Sequence, residues 1–185
     1  PNIQTRFVSQ ENFFNLEIFI IPPAVYGQNG WTIEPYVDIG DAFYTDIADY
    51  NVTINVPEDY IVAATGRKIG SNSYHAENVR DFAFCASNSF QTLSDTWKNT
   101  AITVYYGDNM TATAERALDT ARKSLELFSN KFGTYPYSDL NIVMSGLTGG
   151  VNGMEYPQLI MISPQISLES MADMGVDISD QKETE

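Results

Sequence analysis

Short apolar runs separated by proline and glycine fill the first hundred residues and constrain the fold more than any other feature. Residues 50–56 alternate between apolar and polar side chains, and Pro57 follows them. This period of two is typical of a strand with one buried face. Comparable runs lie at 15–21, 60–65, 79–86 and 101–106. Their number and spacing predict an antiparallel, sandwich-like β domain.

The period changes near residue 110. Apolar residues then recur at steps of three and four, which places them on one helical face: Ala114, Ala117, Leu118, Ala121, Leu125 and Phe128. Gly133 is suited to end this helix, and apolar runs at 141–144 and 159–162 predict further strands. The chain is therefore predicted to be mainly β with an α+β part. It divides into a β-rich domain at 1–107, a helix-and-strand piece at 108–168 and an acidic mobile tail at 169–185. The single helix would leave one face of its sheet uncovered.

The charge balance and the cysteine count exclude several classes of protein. Asp and Glu number 24 against 10 Lys and Arg, a formal net charge of −14, and the basic residues are scattered singly. A nucleic-acid partner is therefore not expected, because phosphate backbones require clustered cations. The one cysteine, Cys85, permits neither an internal disulfide nor a thiolate zinc cage. It lies in an apolar run and is expected to be buried.

The sequence lacks the residues of the common histidine-dependent catalytic sites. His75 is the only histidine, whereas a His-Glu-x-x-His zinc site needs two histidines on one helical face. A Ser-His-Asp triad would have to use the same residue, and no Gly-x-Ser-x-Gly turn is present. We therefore expect His75 to be a solvated loop or strand-end residue.

A cluster of four aspartates surrounds Gly40, at Asp38, Asp41, Asp46 and Asp49. Paired carboxylates can hydrolyse glycosides, and carboxylate oxygens can bind calcium. The spacing fits no EF-hand loop, which favours a solvated acidic turn. A glycosidase site remains a third, weaker hypothesis.

Glu155 stands in a different setting, between a glycine-rich segment and the apolar run at 159–162. A carboxylate beside an apolar strand is costly unless it has a partner. Gly153, two residues earlier, would let a bound backbone approach closely. The alternative interpretation is a glutamate at a strand end that faces water.

The segment Gly153-Met154-Glu155-Tyr156-Pro157 resembles the Gly-x-Met-Glu-Asn exopeptidase motif of the zinc aminopeptidases related to aminopeptidase N, the gluzincin metallopeptidases. In a bacterial branch of that family the motif commonly reads Gly-Gly-Met-Glu-Tyr-Pro, so Asn152 replaces its first glycine. Further segments resemble the family's N-terminal β domain, at 30–36, 40–44, 49–54, 62–66 and 78–83. Residues 128–137 resemble the first helix of its thermolysin-like catalytic domain.

This resemblance implies a zinc-dependent parent enzyme that removes N-terminal residues from peptides. Residues 1–107 would be an N-terminally truncated aminopeptidase-type domain, and 108–168 the start of the catalytic domain. The chain is expected to stop before the zinc helix. It is therefore predicted to hold no metal ligand and no catalytic residue, to bind no zinc, and to be inactive without the zinc-binding subdomain of the same chain. Many bacterial members are extracytoplasmic or membrane-tethered, and the single cysteine is compatible with that.

The resemblance also implies a role for each motif residue. Glu155 would bind the α-ammonium group of the peptide N terminus, Asn152 and Gly153 would present backbone groups, and Met154 would pack behind them. The apolar face around Ile142, Met144 and Ile160 would be exposed or covered by a neighbour. The alternative function is a non-catalytic β-sandwich module for binding or scaffolding.

Overall fold

The structure is a computed structural model that describes residues 24–33, 45–144 and 152–163, together with the backbone of two strands at 7–10 and 13–16. This part of the chain is mainly β, as predicted, with one helix and fourteen strands. In chain order the elements are β1 (Phe7–Gln10), β2 (Phe13–Leu16), β3 (Tyr26–Gly27), β4 (Gly30–Trp31), β5 (Ala48–Thr53), β6 (Ile61–Ala64), β7 (Arg67–Gly70), β8 (Ser73–Val79), β9 (Phe84–Ser87), β10 (Gln91–Trp97), β11 (Thr100–Tyr106), α1 (Thr111–Phe132), β12 (Asp139–Met144), β13 (Gly153–Tyr156) and β14 (Leu159–Ile162).

The described strands form four sheets. A four-stranded sheet has the order β1-β2-β9-β6, a three-stranded sheet the order β5-β8-β7, and β3 and β4 form a hairpin. The fourth sheet has the order β10-β11-β12-β14-β13 and is mixed, because β11 pairs with β12 and β12 with β14 in parallel. A parallel pair needs a crossover connection, and α1 supplies it between β11 and β12. The five-stranded sheet thus includes two strands, β10 and β11, from before residue 107.

The two antiparallel sheets share one apolar core. It combines side chains from β5 and β8 with side chains from β6 and β9, and its buried members are Ile54, Val62, Ala64, Tyr74, Ala76, Val79, Phe82 and Ala86. The Tyr74 hydroxyl donates a hydrogen bond of 2.9 Å to the Val62 carbonyl inside this core. Burial raises the pKa of Tyr74 well above its ordinary value. A buried hydroxyl with a fixed acceptor therefore links the two sheets.

Helix α1 covers one face of the five-stranded sheet, over β10 and β11. Ala114, Ala121 and Leu125 are buried against it, in agreement with the predicted stripe. Gly133 ends the helix with φ 106°, also as predicted, and its N–H bonds to the Ser129 carbonyl. Phe128 belongs to the same stripe, yet it is 55% exposed, and Phe132, one turn further along, is 80% exposed.

The opposite face of the five-stranded sheet is not left uncovered, contrary to the expectation from a single helix. Val143 and Met161 pack there in one cluster with Ala63 of β6 and Cys85 of β9. Cys85 is fully buried, as predicted. The neighbouring antiparallel sheet therefore takes the place of a second helix.

Some strand predictions require correction. The run at 79–86 is not one strand, because Val79 ends β8 and Phe84 begins β9. Asn78 adopts a left-handed φ of 55°, which bends the chain just before this run. Strands β7, β8 and β10 were not predicted, since their exposed faces are polar and dilute the apolar signal. The predicted tail at 169–185 and most of the run at 15–21 lie outside the described residues.

Candidate functional site

The motif residues lie on the hairpin β13–β14 at one edge of the five-stranded sheet. Gly153 pairs with Ile162 and Glu155 with Ile160, and a two-residue turn at Pro157 and Gln158 joins the strands. Gln158 has a left-handed φ of 65° in this turn. Among the described strands, β14 is the only one that pairs with β13. Within the part of the chain that the structure describes, the other side of β13 is therefore a sheet edge.

Alternation in the antiparallel ladder decides which backbone groups face that edge. The Ser163 N–H donates a hydrogen bond of 2.9 Å to the Asn152 carbonyl, so these two residues form a hydrogen-bonded pair. Hydrogen-bonded and non-hydrogen-bonded pairs alternate along an antiparallel ladder. The N–H and C=O groups of Gly153 and Glu155 consequently point away from β14. This strand edge can accept another extended chain.

The Glu155 side chain is exposed and lies on the α1 side of the sheet. Its partner Ile160 is in register with Ile142 of β12, which belongs to the core beneath α1. Directly paired residues share a face, so the carboxylate emerges beside Ile160. None of the ion pairs found in the described part of the chain involves Glu155. As far as residues 24–33, 45–144 and 152–163 are concerned, its carboxylate is thus available to a cation from outside.

Gly153 is not required by the fold. It is exposed and lies outside the left-handed region, and an added Cβ would meet only the Met161 carbonyl oxygen, at 3.7 Å. That is an ordinary van der Waals separation. Gly66 differs, because its φ is +86° and an added Cβ would lie 2.7 Å from the His75 carbonyl oxygen. A glycine that the chain itself does not need is consistent with close approach by another backbone.

The remaining motif residues face the opposite side of the sheet or its end. Tyr156 is buried, and half-buried Met154 packs against the same cluster as Leu159 and Met161. Asn152 is half-buried at the start of β13. The hairpin therefore presents Gly153 and Glu155 outward on a rigid apolar base.

The apolar face beside Glu155 is less exposed than the sequence led us to expect. Ile142 is 3% and Met144 6% exposed, because both belong to the core cluster of α1. The expectation that this face is exposed is therefore wrong for these two residues. Ile160 and Ile162 are half-buried and lie next to the carboxylate. The sequence analysis did not single out Ile162, although its position opposite Gly153 follows once the hairpin register is known.

The described residues do not fit a zinc site. His75 lies in the middle of β8, not in a loop or at a strand end as predicted, and Nδ1 is 2.8 Å from the Asn51 amide oxygen. Its Nε2 is 3.0 Å from Glu77 Oε1. In the described ranges no group of three or more His, Cys, Asp or Glu side chains could hold a metal ion. We therefore assign no chemical step to zinc within this chain.

The aspartate cluster is only partly described. Asp49 Oδ1 accepts a hydrogen bond of 2.8 Å from the Asn78 backbone, and Asp46 Oδ1 accepts one from the adjacent Ile47 N–H. Asp38 and Asp41 lie outside the described residues. Asp46 therefore binds the adjacent backbone, which is typical of an acidic turn, whereas Asp49 of β5 binds the backbone of β8, 29 residues further along the chain.

No family model matches this chain, and no curated protein does. Within the described residues no helix is both long and apolar enough to cross a membrane.

Proposed function

We propose that this chain carries the substrate amino-terminus site of a zinc-dependent aminopeptidase, with Glu155 as the group that binds the peptide's α-ammonium. One observation carries this proposal: an exposed carboxylate without an ion-pair partner among the described residues lies on a sheet edge, beside outward-facing backbone groups. A carboxylate and an ammonium form a charge-assisted hydrogen bond, which is stronger than a neutral one. The resemblance of residues 153–157 to the exopeptidase motif supports the same role.

The sheet edge supplies the second part of the site. An extended peptide can add to a strand edge through main-chain hydrogen bonds, and Gly153 offers the closest approach. A peptide aligned along β13 in this way brings its first residue to Glu155. Because Glu155 would bind the α-ammonium of the peptide, the first peptide bond would lie at a fixed distance from the carboxylate. This geometry favours removal of one N-terminal residue over cleavage inside the peptide.

We also propose the finer architecture that the resemblance implies. The antiparallel sheets with a shared core would form the sandwich-like N-terminal domain. Helix α1 and the strands β12, β13 and β14, which lie within residues 108–168, would begin the thermolysin-like catalytic domain. The zinc ligands would then belong to parts of the parent protein outside these 185 residues, since the sequence holds a single histidine. When bound there, zinc would polarise the scissile carbonyl.

Two experiments test this function. The coding sequence that follows residue 185 should contain His-Glu-x-x-His and a later glutamate. In the longer protein, Glu155→Ala should reduce kcat/KM for aminoacyl substrates by roughly 30-fold or more, the equivalent of about 2 kcal/mol. Glu126→Ala, which removes an exposed glutamate from α1, is the matched control. Parental kcat/KM in the Glu155 variant would refute the role.

A non-catalytic peptide-binding or scaffold module is the second candidate. It is supported by the outward-facing backbone groups of β13, which need no metal to bind a peptide. The same strand edge could bind a peptide without cleaving it. A parent protein that lacks His-Glu-x-x-His but still prefers free amino termini would support this alternative.

A further inference from the structure

Asn141 is the residue at which the candidate site meets the N-terminal sheets. Its backbone N–H donates a hydrogen bond of 2.8 Å to the Gln158 carbonyl in the turn of the β13–β14 hairpin. Its side-chain Nδ2 donates a hydrogen bond of 2.9 Å to the Ala64 carbonyl. Asn141, in the central strand β12 of the five-stranded sheet, therefore binds the hairpin turn through its backbone and strand β6 through its side chain.

The Ala64 carbonyl requires a hydrogen-bond donor from within the protein. Ala64 is fully buried at the end of β6, the outer strand of the four-stranded sheet. A buried carbonyl without a hydrogen bond is costly, so the Asn141 amide has a fixed place to bind. A second contact between the two regions, from the Tyr137 hydroxyl to the Asn78 carbonyl, is exposed and longer, at 3.3 Å. The Asn141 contact is accordingly the better-defined of the two.

We propose that Asn141 is a positioning residue for Glu155. Together with the apolar cluster in which Leu159 and Met161 meet Ala63, it fixes the hairpin, and with it the carboxylate, relative to the N-terminal sheets. Glu155 lies three residues before Gln158, on the short strand that the turn controls. Loss of the amide would free the turn to shift against β6 and would move the carboxylate away from an ammonium bound along the β13 edge. The inference rests on the proposed function, because that function supplies the ammonium group that Glu155 would bind.

The test compares Asn141→Ala with Thr100→Val. Thr100 lies in the same sheet, where it is buried while Asn141 is half-buried, and its hydroxyl donates a hydrogen bond of 3.0 Å to the Tyr137 carbonyl, away from the hairpin. Two readouts are needed: hydrogen exchange of the amides at 153–162, and the affinities for trialanine and N-acetyl-trialanine measured by NMR titration. Asn141→Ala should accelerate exchange in the hairpin, and should reduce the preference for the free amine, by about tenfold each relative to Thr100→Val.

Each outcome is decisive. Equal hairpin exchange in the two variants would overturn the inference, and so would faster exchange with an unchanged preference for the free amine. If the unmodified protein shows no such preference, the proposed function fails, and the exchange data then show separately whether Asn141 holds the hairpin.

Asn141→Gln keeps the amide donor on a longer side chain, so it should fold even if Asn141→Ala does not. It should restore part of the preference, and failure to do so would contradict the positioning role.

Discussion

Glu155 and Ile160 are paired directly across the β13–β14 hairpin, so that an exposed carboxylate emerges beside a half-buried aliphatic side chain. Ile162 lies in the same way opposite Gly153. Apolar neighbours exclude some water from a charged pair and strengthen its electrostatic attraction. An ammonium group attached to an organic molecule would gain from both features, whereas a hydrated metal ion would gain only from the charge. The pair therefore supports the proposal that Glu155 binds an organic ammonium group.

The two glycines with opposite surroundings give the first prediction. Gly153→Ala should change the free energy of unfolding by less than about 0.5 kcal/mol, because the site is exposed and has room for a Cβ. Gly66→Ala should destabilise the protein by about 2–4 kcal/mol, because its backbone is left-handed and the new Cβ would clash with the His75 carbonyl. Urea denaturation of both variants measures the difference.

Gly153→Ala should affect peptide binding although it hardly affects stability. The substitution should weaken binding of trialanine, since the added methyl group would stand on the same face as Glu155 and Ile162, beside a peptide paired to β13. A Gly153→Ala variant that is strongly destabilised, or that binds trialanine as well as the unmodified protein does, would show that the glycine serves the fold instead of a ligand.

Much of the fold follows from sequence periodicity, and its failures have local causes. The stripe of α1 was predicted from Ala114 to Phe128, and Ala114, Ala121 and Leu125 are buried. Phe128 is exposed instead, because a helical repeat gives no information on which turns of the helix have a packing partner. Strand β10 was missed because Gln91–Trp97 has polar side chains at most positions on its open face. Long-range pairing, not local pattern, makes it a strand.

The candidate site was predictable by residue but not by orientation. Motif resemblance singled out Glu155, whereas its side of the sheet depends on the register with Ile160 and, through β12, on contact with α1. His75 was placed in a loop because its neighbours are polar, yet it lies in β8, whose outer face faces solvent. Asn141 carried no sequence signal at all, since its partner Ala64 is 77 residues away.

Tyr74 gives a prediction for alkaline conditions. Its pKa is raised by burial and, secondarily, by Tyr105, above the ordinary value of 10.0. The folded protein therefore keeps the phenol protonated where the unfolded chain ionises. This contribution to stability is complete below pH 10.0 and is lost as the pH rises above it. Unfolding free energies measured at increasing pH should fall in that range.

Substitution separates this effect from general alkaline damage. Tyr74→Phe should lose about 1 kcal/mol near neutral pH, because the Val62 carbonyl loses its buried donor, and should show a weaker alkaline decline. Tyr26→Phe, at an exposed ring, should match the unmodified protein in both respects. An equally steep decline in Tyr74→Phe would contradict the assignment.

Asp119 gives a prediction for acid conditions. Hydrogen bonds from Lys123 and then Arg122 on the same helix lower its pKa below the ordinary value of 3.8. The contribution to stability is therefore present above that value and is lost as the pH falls through the lower, folded-state pKa. Asp119→Asn should slightly reduce Tm near neutral pH and leave it unchanged in strong acid. Because the pairs are exposed, high salt should also abolish the difference. A difference that persists in strong acid would exclude the ion pairs as its cause.

The most direct measurement is the affinity of the 185-residue chain for trialanine and for its N-acetyl form, before and after Glu155→Gln. The unmodified chain should bind the free amine about tenfold more tightly than the acetylated peptide, as expected for a charge-assisted hydrogen bond. Glu155→Gln should remove that preference without lowering Tm, because the side chain is exposed. Equal affinities of the unmodified chain for the two peptides would contradict a role for Glu155 in binding an amino terminus.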